Sequence, residues 1–356
     1  MLTYKNFNLT KSNYLLKYTL EKLFLKVFTF IFLLLFLSVS FAQGKGENVK
    51  FQDYPGPGNL MAKVAIEKGF CTKYEIKCQL QVIGSGPLGI QALLSKSIDA
   101  AFVTAPVMIG PISQGAKLKM VVGGATSNVA MLIFGDHITV SNSNYTWPSF
   151  MANLSGKKIG VPARGSLMEF KLRWMLLKSG MKIEDITIVA VGGPDTAYGA
   201  LISKQVDALM TFPPADSLCE VLRTCKVVWR ASTDKEPAEF FALNGGGNGM
   251  VFTQDFIDSK PHVIDAVTKA FKDADYFINN PNNYDEVIRI TKKYYKIDTP
   301  NGDDIIKHMI KIAIDSKTYT APLNRKAMQG YLDFMIETKM IDKTPALNLF
   351  ITQDAP

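Results

Sequence analysis

The chain has 356 residues, 47% of them hydrophobic, which is enough for two ordinary cores and excludes both a disordered chain and a fold held by disulfides alone. Its formal charge is +8, but residues 1–42 hold five lysines against Glu21, so +4 is left for the remainder. That mild excess comes without a long Lys/Arg run and gives no footing for nucleic-acid binding.

The first element is a leader. Lys5, Lys11, Lys17, Lys22 and Lys26 precede an apolar run from Val27 to Val39, and Ser40-Phe41-Ala42 supplies small residues where a signal peptidase cuts. The run is too short for a spanning helix, which needs about 20 apolar residues. We therefore expect 1–42 to be removed, the mature protein to begin near Gln43, and the product to be a soluble periplasmic protein. No cysteine follows the run to carry a lipid.

A first strand is expected at Val49–Asp53, ended by Tyr54-Pro55-Gly56-Pro57-Gly58, after which Asn59 can cap a helix reaching Lys68. A strand around Ile76–Ile83, the turn Gly84-Ser85-Gly86-Pro87 and a helix over 88–96 follow. Asp99 opens the strand Ala100–Thr104, a further helix follows Pro106, and two apolar runs, Met120–Gly124 and Ala130–Phe134, have strand length. The pattern restarts at Leu154–Pro162 after a polar span, His137–Thr146, and continues with Ala163-Arg164-Gly165-Ser166, a helix over 167–179, a strand over 186–191, Gly192-Gly193-Pro194 and a helix to Lys204. Strands alternating with helices in this rhythm imply parallel pairing, hence an α/β fold. From Met250 the texture turns helical: 253–258, 261–279, 283–295, 302–315 and 323–338.

One stretch occurs twice. Ala-Leu-Leu-Ser-Lys-Ser-Ile-Asp-Ala at 92–100 returns as Ala-Leu-Ile-Ser-Lys-Gln-Val-Asp-Ala at 200–208, and the same offset relates Pro106 to Pro214. Too long a period for a solenoid, it implies two similar lobes with a ligand between them. The simplest division gives one lobe 43–136 plus 248–356 and the other 137–247, with two crossings acting as a hinge. Asp99 and Asp207, at strand starts away from the expected cleft, are read as structural. Cys71 and Cys78, and Cys219 and Cys225, lie in close pairs in an exported chain and are expected to form two local disulfides; their spacing does not suit zinc. His137, His262 and His308 are scattered, make no metal or catalytic spacing, and are expected at the surface.

At this point the sequence resembles the solute-binding proteins of the nitrate/sulfonate/taurine type of ABC importer. The carriers are Gly-Ser-Gly at 84–86, Ser-Ile-Asp-Ala-Ala at 97–101, Leu-Ser-Gly-Lys-Lys-Ile-Gly-Val-Pro at 154–162, Val-Asp-Ala-Leu-Met at 206–210, and Phe256 to Pro281. The resemblance implies a type II periplasmic binding protein: two lobes, each a mostly parallel sheet flanked by helices, working as a monomer with a permease in the inner membrane and without a cofactor or metal.

Open α/β sheets bind ligands at the carboxyl ends of their strands. The candidates there are Tyr54, Gly58 and Asn59; Ser85 and Gly86; Thr104 and Ala105; Arg164, Gly165 and Ser166; Phe212 and Pro213; and Asn244, in a run of three following glycines. Helix N-termini expose unpaired N–H groups, so the head of the ligand is expected to be a small anion, a sulfonate or carboxylate, with Tyr54 and Phe212 read as able to hold an apolar or aromatic body. Two readings of Arg164 stay open: it grips the anion bidentately, or it faces solvent or pairs with Glu169. Two other functions compete with transport: an enzyme or binder for the thiamin pyrimidine on the same fold, whose cysteine-rich motif and cofactor lysine cannot be placed here, and a periplasmic ligand sensor.

Overall fold

A computed structural model describes residues 44–139, 145–339, 341–343 and 345–356. The expected leader and part of the polar span after His137 lie outside the described residues. Among the described residues, no helix is long and apolar enough to cross a membrane.

The chain begins with β1 (Glu47–Asp53), α1 (Leu60–Glu67), α2 (Phe70–Lys73), β2 (Ile76–Val82), α3 (Gly86–Leu94), β3 (Ala101–Val103), α4 (Ala105–Ser113) and β4 (Leu118–Gly123). Next come β5 (Met131–Gly135), β6 (Lys158–Val161), α5 (Leu167–Lys178), β7 (Thr187–Ala190), α6 (Pro194–Ile202), β8 (Ala208–Thr211), α7 (Ala215–Leu222) and β9 (Cys225–Arg230). After α8 (Ala238–Phe241) the chain makes β10 (Gly249–Thr253) and then α9 (Gln254–Ser259), α10 (Pro261–Ile278), α11 (Tyr284–Tyr294), α12 (Gly302–Asp315) and α13 (Arg325–Glu337).

The strands form two sets with one pattern. β1 pairs in parallel with β2, and a parallel bridge from Phe51 to Ala100 joins that pair to β3, which lies in the order β3-β10-β4. The second sheet has the order β7-β6-β8-β5-β9, with β6 parallel to both β7 and β8. In each set one strand runs antiparallel to its neighbours: β10 in the first, β5 in the second. This corrects the expected place of Ala130–Phe134. The sequence pattern puts that run in the first lobe, but Met131–Gly135 is laddered between β8 and β9. An apolar run of strand length says that a strand is buried, not which sheet receives it. We accordingly place the crossings at about 124–130 and 244–248.

The duplicated segment plays one role in both sets. Asp99 Oδ2 accepts the Lys50 N–H and Asp207 Oδ2 accepts the Lys158 N–H, each at 2.8 Å, tying the start of one strand to its neighbour. Both copies turn through a lysine in the left-handed region, Lys96 at φ 61° and Lys204 at φ 60°. The core against the first sheet comes from the apolar stripe of α10, where Val263, Val267, Ala270, Phe271 and Ala274 are fully buried against α1. Cys71 is bonded to Cys78 and Cys219 to Cys225, each closing the step from a short helix to the strand that follows.

Candidate functional site

A cavity of about 520 Å³ lies where the carboxyl ends of the two sets of strands meet. Each expected loop reaches it: Tyr54 and Gly58 after β1, Ser85 and Gly86 after β2, Thr104 after β3, Arg164 to Ser166 after β6, and Phe212 and Pro213 after β8. Gly192 and Gly193, after β7, complete the set. Asn59, Ala105 and Asn244 do not line it. Asn59 is buried and spends its Nδ2 on the Gln52 carbonyl at 3.0 Å, capping nothing. Ala105 is packed in the core. Asn244 ties the crossings together, taking the Asn128 N–H at 2.7 Å and donating to the Ala231 carbonyl at 2.9 Å. In that glycine run it is Gly247 and Asn248 that reach the cavity.

Buried polar side chains hold the loops in place. Lys63 and Asp53 form an ion pair at 2.8 Å with side chains only 1% and 5% exposed, and Lys63 also donates to the Gly56 carbonyl at 2.7 Å, fixing the turn that presents Tyr54. Burial pushes the Asp53 carboxyl up and the Lys63 ammonium down, opposed in each case by the partner. Gly58 is required there, since a Cβ would lie 2.6 Å from that of Tyr54. Gln52, fully buried, donates to the carbonyls of Ile83 and Ser85 at 3.0 Å each and accepts from Phe102 N–H, so that it carries the Ser85 loop. Ser85 and Ser166 both cap their helices, through Leu88 N–H and Glu169 N–H.

The turn at Arg164 already contains an anion. Glu169, buried in the first turn of α5, accepts the Gly165 N–H at 2.7 Å, two bonds from Arg173 at 2.9 and 2.7 Å, and an ion pair from Arg164 at 3.2 Å. Of the two readings of Arg164, pairing with Glu169 is the observed one, although the guanidinium remains half exposed on the cavity wall. The helix dipole and the arginines are largely answered from within.

Lys171 has no such answer. Two residues further along α5, it is 1% exposed and lines the cavity. Its Nζ donates to Asn128 Oδ1 and to the Tyr331 hydroxyl at 3.4 Å, and lies 5.3 Å over the Tyr331 ring. Among the described residues no carboxylate pairs with it. Burial pulls its ammonium down to about 7. The sequence held a signal for it: Met168, Leu172 and Met175 mark the apolar stripe of α5, and Lys171 falls on the same face.

On another part of the wall Arg230 bonds Asp216 Oδ2 through Nε at 3.1 Å and Glu220 Oε2 through a terminal nitrogen at 2.6 Å. The histidines lie at or near the surface, as their scatter implies, but each has a carboxylate partner. His137 meets Asp207 at 2.9 Å, His262 meets Glu47, and His308 meets Glu220 at 3.4 Å, each only partly exposed. Spacing along the chain cannot show partners brought in by the fold. Among the described residues no cluster suited to a metal ion is present. The rest of the wall is mainly apolar, with Phe102, Val107 and Met131 from the strands and helices near the sheets, and Met309, Ile312 and Tyr319 from α12 and just beyond.

Comparison with known proteins places this geometry. Residues 60–292, more than half of the chain, match the NMT1-like family. The chain belongs to that family. Relatives in Brucella abortus and Brucella suis, named only as binding proteins, are each 27% identical over 244 residues, 68% of this chain and 70% of theirs. Among solved structures, the periplasmic aliphatic sulphonate binding protein of Escherichia coli superposes with a TM-score of 0.66 at 19% identity, covering 87% of this chain and 98% of that one. The alkanesulfonate-binding protein of Xanthomonas axonopodis pv. citri, bound to MOPS, gives 0.63 at 18%, covering 86% and 96%. The nitrate-binding protein of Synechocystis PCC 6803 gives 0.65 at 14%, covering 87% and 88%. This NMT1-like chain therefore has the two-lobe type II fold of periplasmic binding proteins, and its cavity lies at the carboxyl ends of the strands, as that fold implies.

Proposed function

We propose that the protein is the substrate-binding component of an ABC importer, capturing a small organic anion between its lobes in the periplasm and delivering it to a permease in the inner membrane. The observation that carries this reading is Lys171, a buried cation without a carboxylate partner on the wall of a largely apolar cavity. An unpaired buried charge is costly, and a ligand anion that pairs with it recovers part of that cost. A volume of about 520 Å³ falls in the range of sites for organic ligands and is far larger than a nitrate ion needs, which favours a carboxylate or sulfonate on an apolar body. The solute-binding names of the similar proteins support transport over catalysis.

The test is a thermal-shift screen followed by calorimetry with aliphatic and aromatic carboxylates and sulfonates, using neutral sugars and organic cations as controls. A true ligand at 100 times its dissociation constant adds about 2.7 kcal/mol of stability and raises the melting temperature. Stabilisation by the sugars or cations alone overturns the reading.

A further inference from the structure

The part of the cavity wall that comes from the first set of strands carries a polar group that the protein itself leaves unsatisfied. Thr104, just after β3, is 6% exposed and lines the cavity, and its Oγ1 is buried without a hydrogen-bond partner among the described residues. It occupies the N-cap position of α4, where a threonine hydroxyl ordinarily accepts an N–H of the first turn. Here Pro106 has no N–H to give, the Val107 N–H goes to the Thr104 carbonyl at 3.1 Å, and the side chain caps nothing. The first turn of α3 packs alongside: a Cβ at Gly86 would stand 3.2 Å from a Val107 methyl group. Two helix N-termini, whose leading N–H groups have no partner inside the helix, thus end beside one unmet hydroxyl.

We infer that Thr104 and the adjoining ends of α3 and α4 form a second polar subsite, taking an oxygen acceptor on the ligand, so that the substrate is a two-ended organic acid. One anionic group meets Lys171 on α5, a carboxylate, carbonyl or sulfonyl oxygen meets Thr104 from the other set of strands, and an apolar body lies between against residues such as Tyr54, Phe102 and Met309. This inference rests on the proposed reading of the cavity as an organic-anion site.

Calorimetry with two pairs of acids at pH 6.5, benzoate with terephthalate and hexanoate with adipate, tests it on the parent protein, Thr104→Val, Thr211→Val and Lys171→Met. Thr211 is the control, because its Oγ1 is also buried and unpartnered but the residue does not line the cavity. The parent is expected to bind the two-ended member of at least one pair tenfold or more tightly. Thr104→Val should lose that advantage, keep its affinity for the one-ended member and melt no lower than the parent, since the hydroxyl it loses has no partner. Thr211→Val should match the parent. Equal affinity within each pair, weakened alike by Lys171→Met, overturns the second subsite and leaves the anion site standing. Equal weakening of both members by Thr104→Val also overturns it. No binding by any of the four acids, or by the corresponding mono- and disulfonates run beside them, overturns both readings.

Discussion

Glu169 and Lys171 sit two residues apart on α5, both buried, and the difference between them defines the site. Glu169 is surrounded by two guanidinium groups and a backbone N–H, whereas Lys171 meets only an amide oxygen, a phenol and a ring face. With its pKa pulled to about 7 in the folded state, against an unfolded value near 10.4, Lys171 binds fewer protons folded than unfolded between those limits. Stability should therefore rise as pH climbs from about 7 to 10, and below 7 the charge costs on the order of 4 kcal/mol. Lys171→Met should melt higher than the parent at pH 6–7, with the gap closing towards pH 10. Affinity follows the opposite sign, because the anion needs the charged form: the dissociation constant is expected to be flat below pH 7 and to weaken by up to tenfold per unit above it. Calorimetry across pH in buffers of different ionisation enthalpy should show uptake approaching one proton at pH 8. Binding that is independent of pH from 6 to 9 and survives Lys171→Met would remove Lys171 from the site. Arg164 was the more visible residue in the sequence, because a cation in a glycine turn before a helix is a local pattern. Lys171 was less visible, since its role depends on the absence of a nearby carboxylate, which only the fold decides.

Secondary elements from the two sets of strands touch beside the cavity as well as around it. α7 brings Ser217 and Glu220, and α12 brings His308, whose Nδ1 lies 3.1 Å from Ser217 Oγ and whose Nε2 lies 3.4 Å from Glu220 Oε2. That same glutamate oxygen is held by Arg230, Arg230 reaches Asp216, and Asp216 accepts the Ser217 N–H at 2.8 Å, which closes a polar ring running from the cavity wall to the facing helix. Tyr295, just past α11, adds a second tie by donating to Asp195 at the start of α6 at 2.7 Å. Each contact contributes only about 0.5–1.5 kcal/mol, but contacts made only when the lobes are together bias closure directly. The double variant His308→Ala, Tyr295→Phe should bind ligand about three- to tenfold more weakly at unchanged stoichiometry, although neither residue lines the cavity. Unchanged affinity in calorimetry would show that these ties do not hold the closed form. The helices in this arrangement were legible from their apolar periodicity and start signals, and the disulfides from spacing. The pairings across the cleft were not, because residues 195 and 295, or 217 and 308, share no local pattern.

Over the whole molecule, a 108-residue offset in the sequence corresponds to two sets of strands in the same order, so the two-lobe plan could be read before any coordinates. The direction of the strand that follows each crossing could not. β5 and β10 are the antiparallel members, each reached through a crossing, and nothing in an apolar pentapeptide records its direction. The crossings are bonded to one another: Gly245 and Gly247 both donate to the Thr126 carbonyl at 2.9 Å, and Asn248 donates to the Ala125 carbonyl at 2.8 Å. Lys171 joins them through Asn128, so a ligand that engages its ammonium acts on the segments about which the lobes would move. Gly247 is where this can be tested, since a Cβ there would lie 2.6 Å from the Ala125 carbonyl oxygen and under 3 Å from those of Thr126 and Ser127. Backbone oxygens on one strand of chain cannot step aside singly, so Gly247→Ala must part the two crossings. The variant is expected to bind the same anions at least tenfold more weakly, with the pH midpoint near 7 retained, and to show less ligand-induced compaction by small-angle scattering than the parent. A variant that melts lower but closes and binds as the parent does would separate the crossings from the ligand response, leaving them a structural join alone.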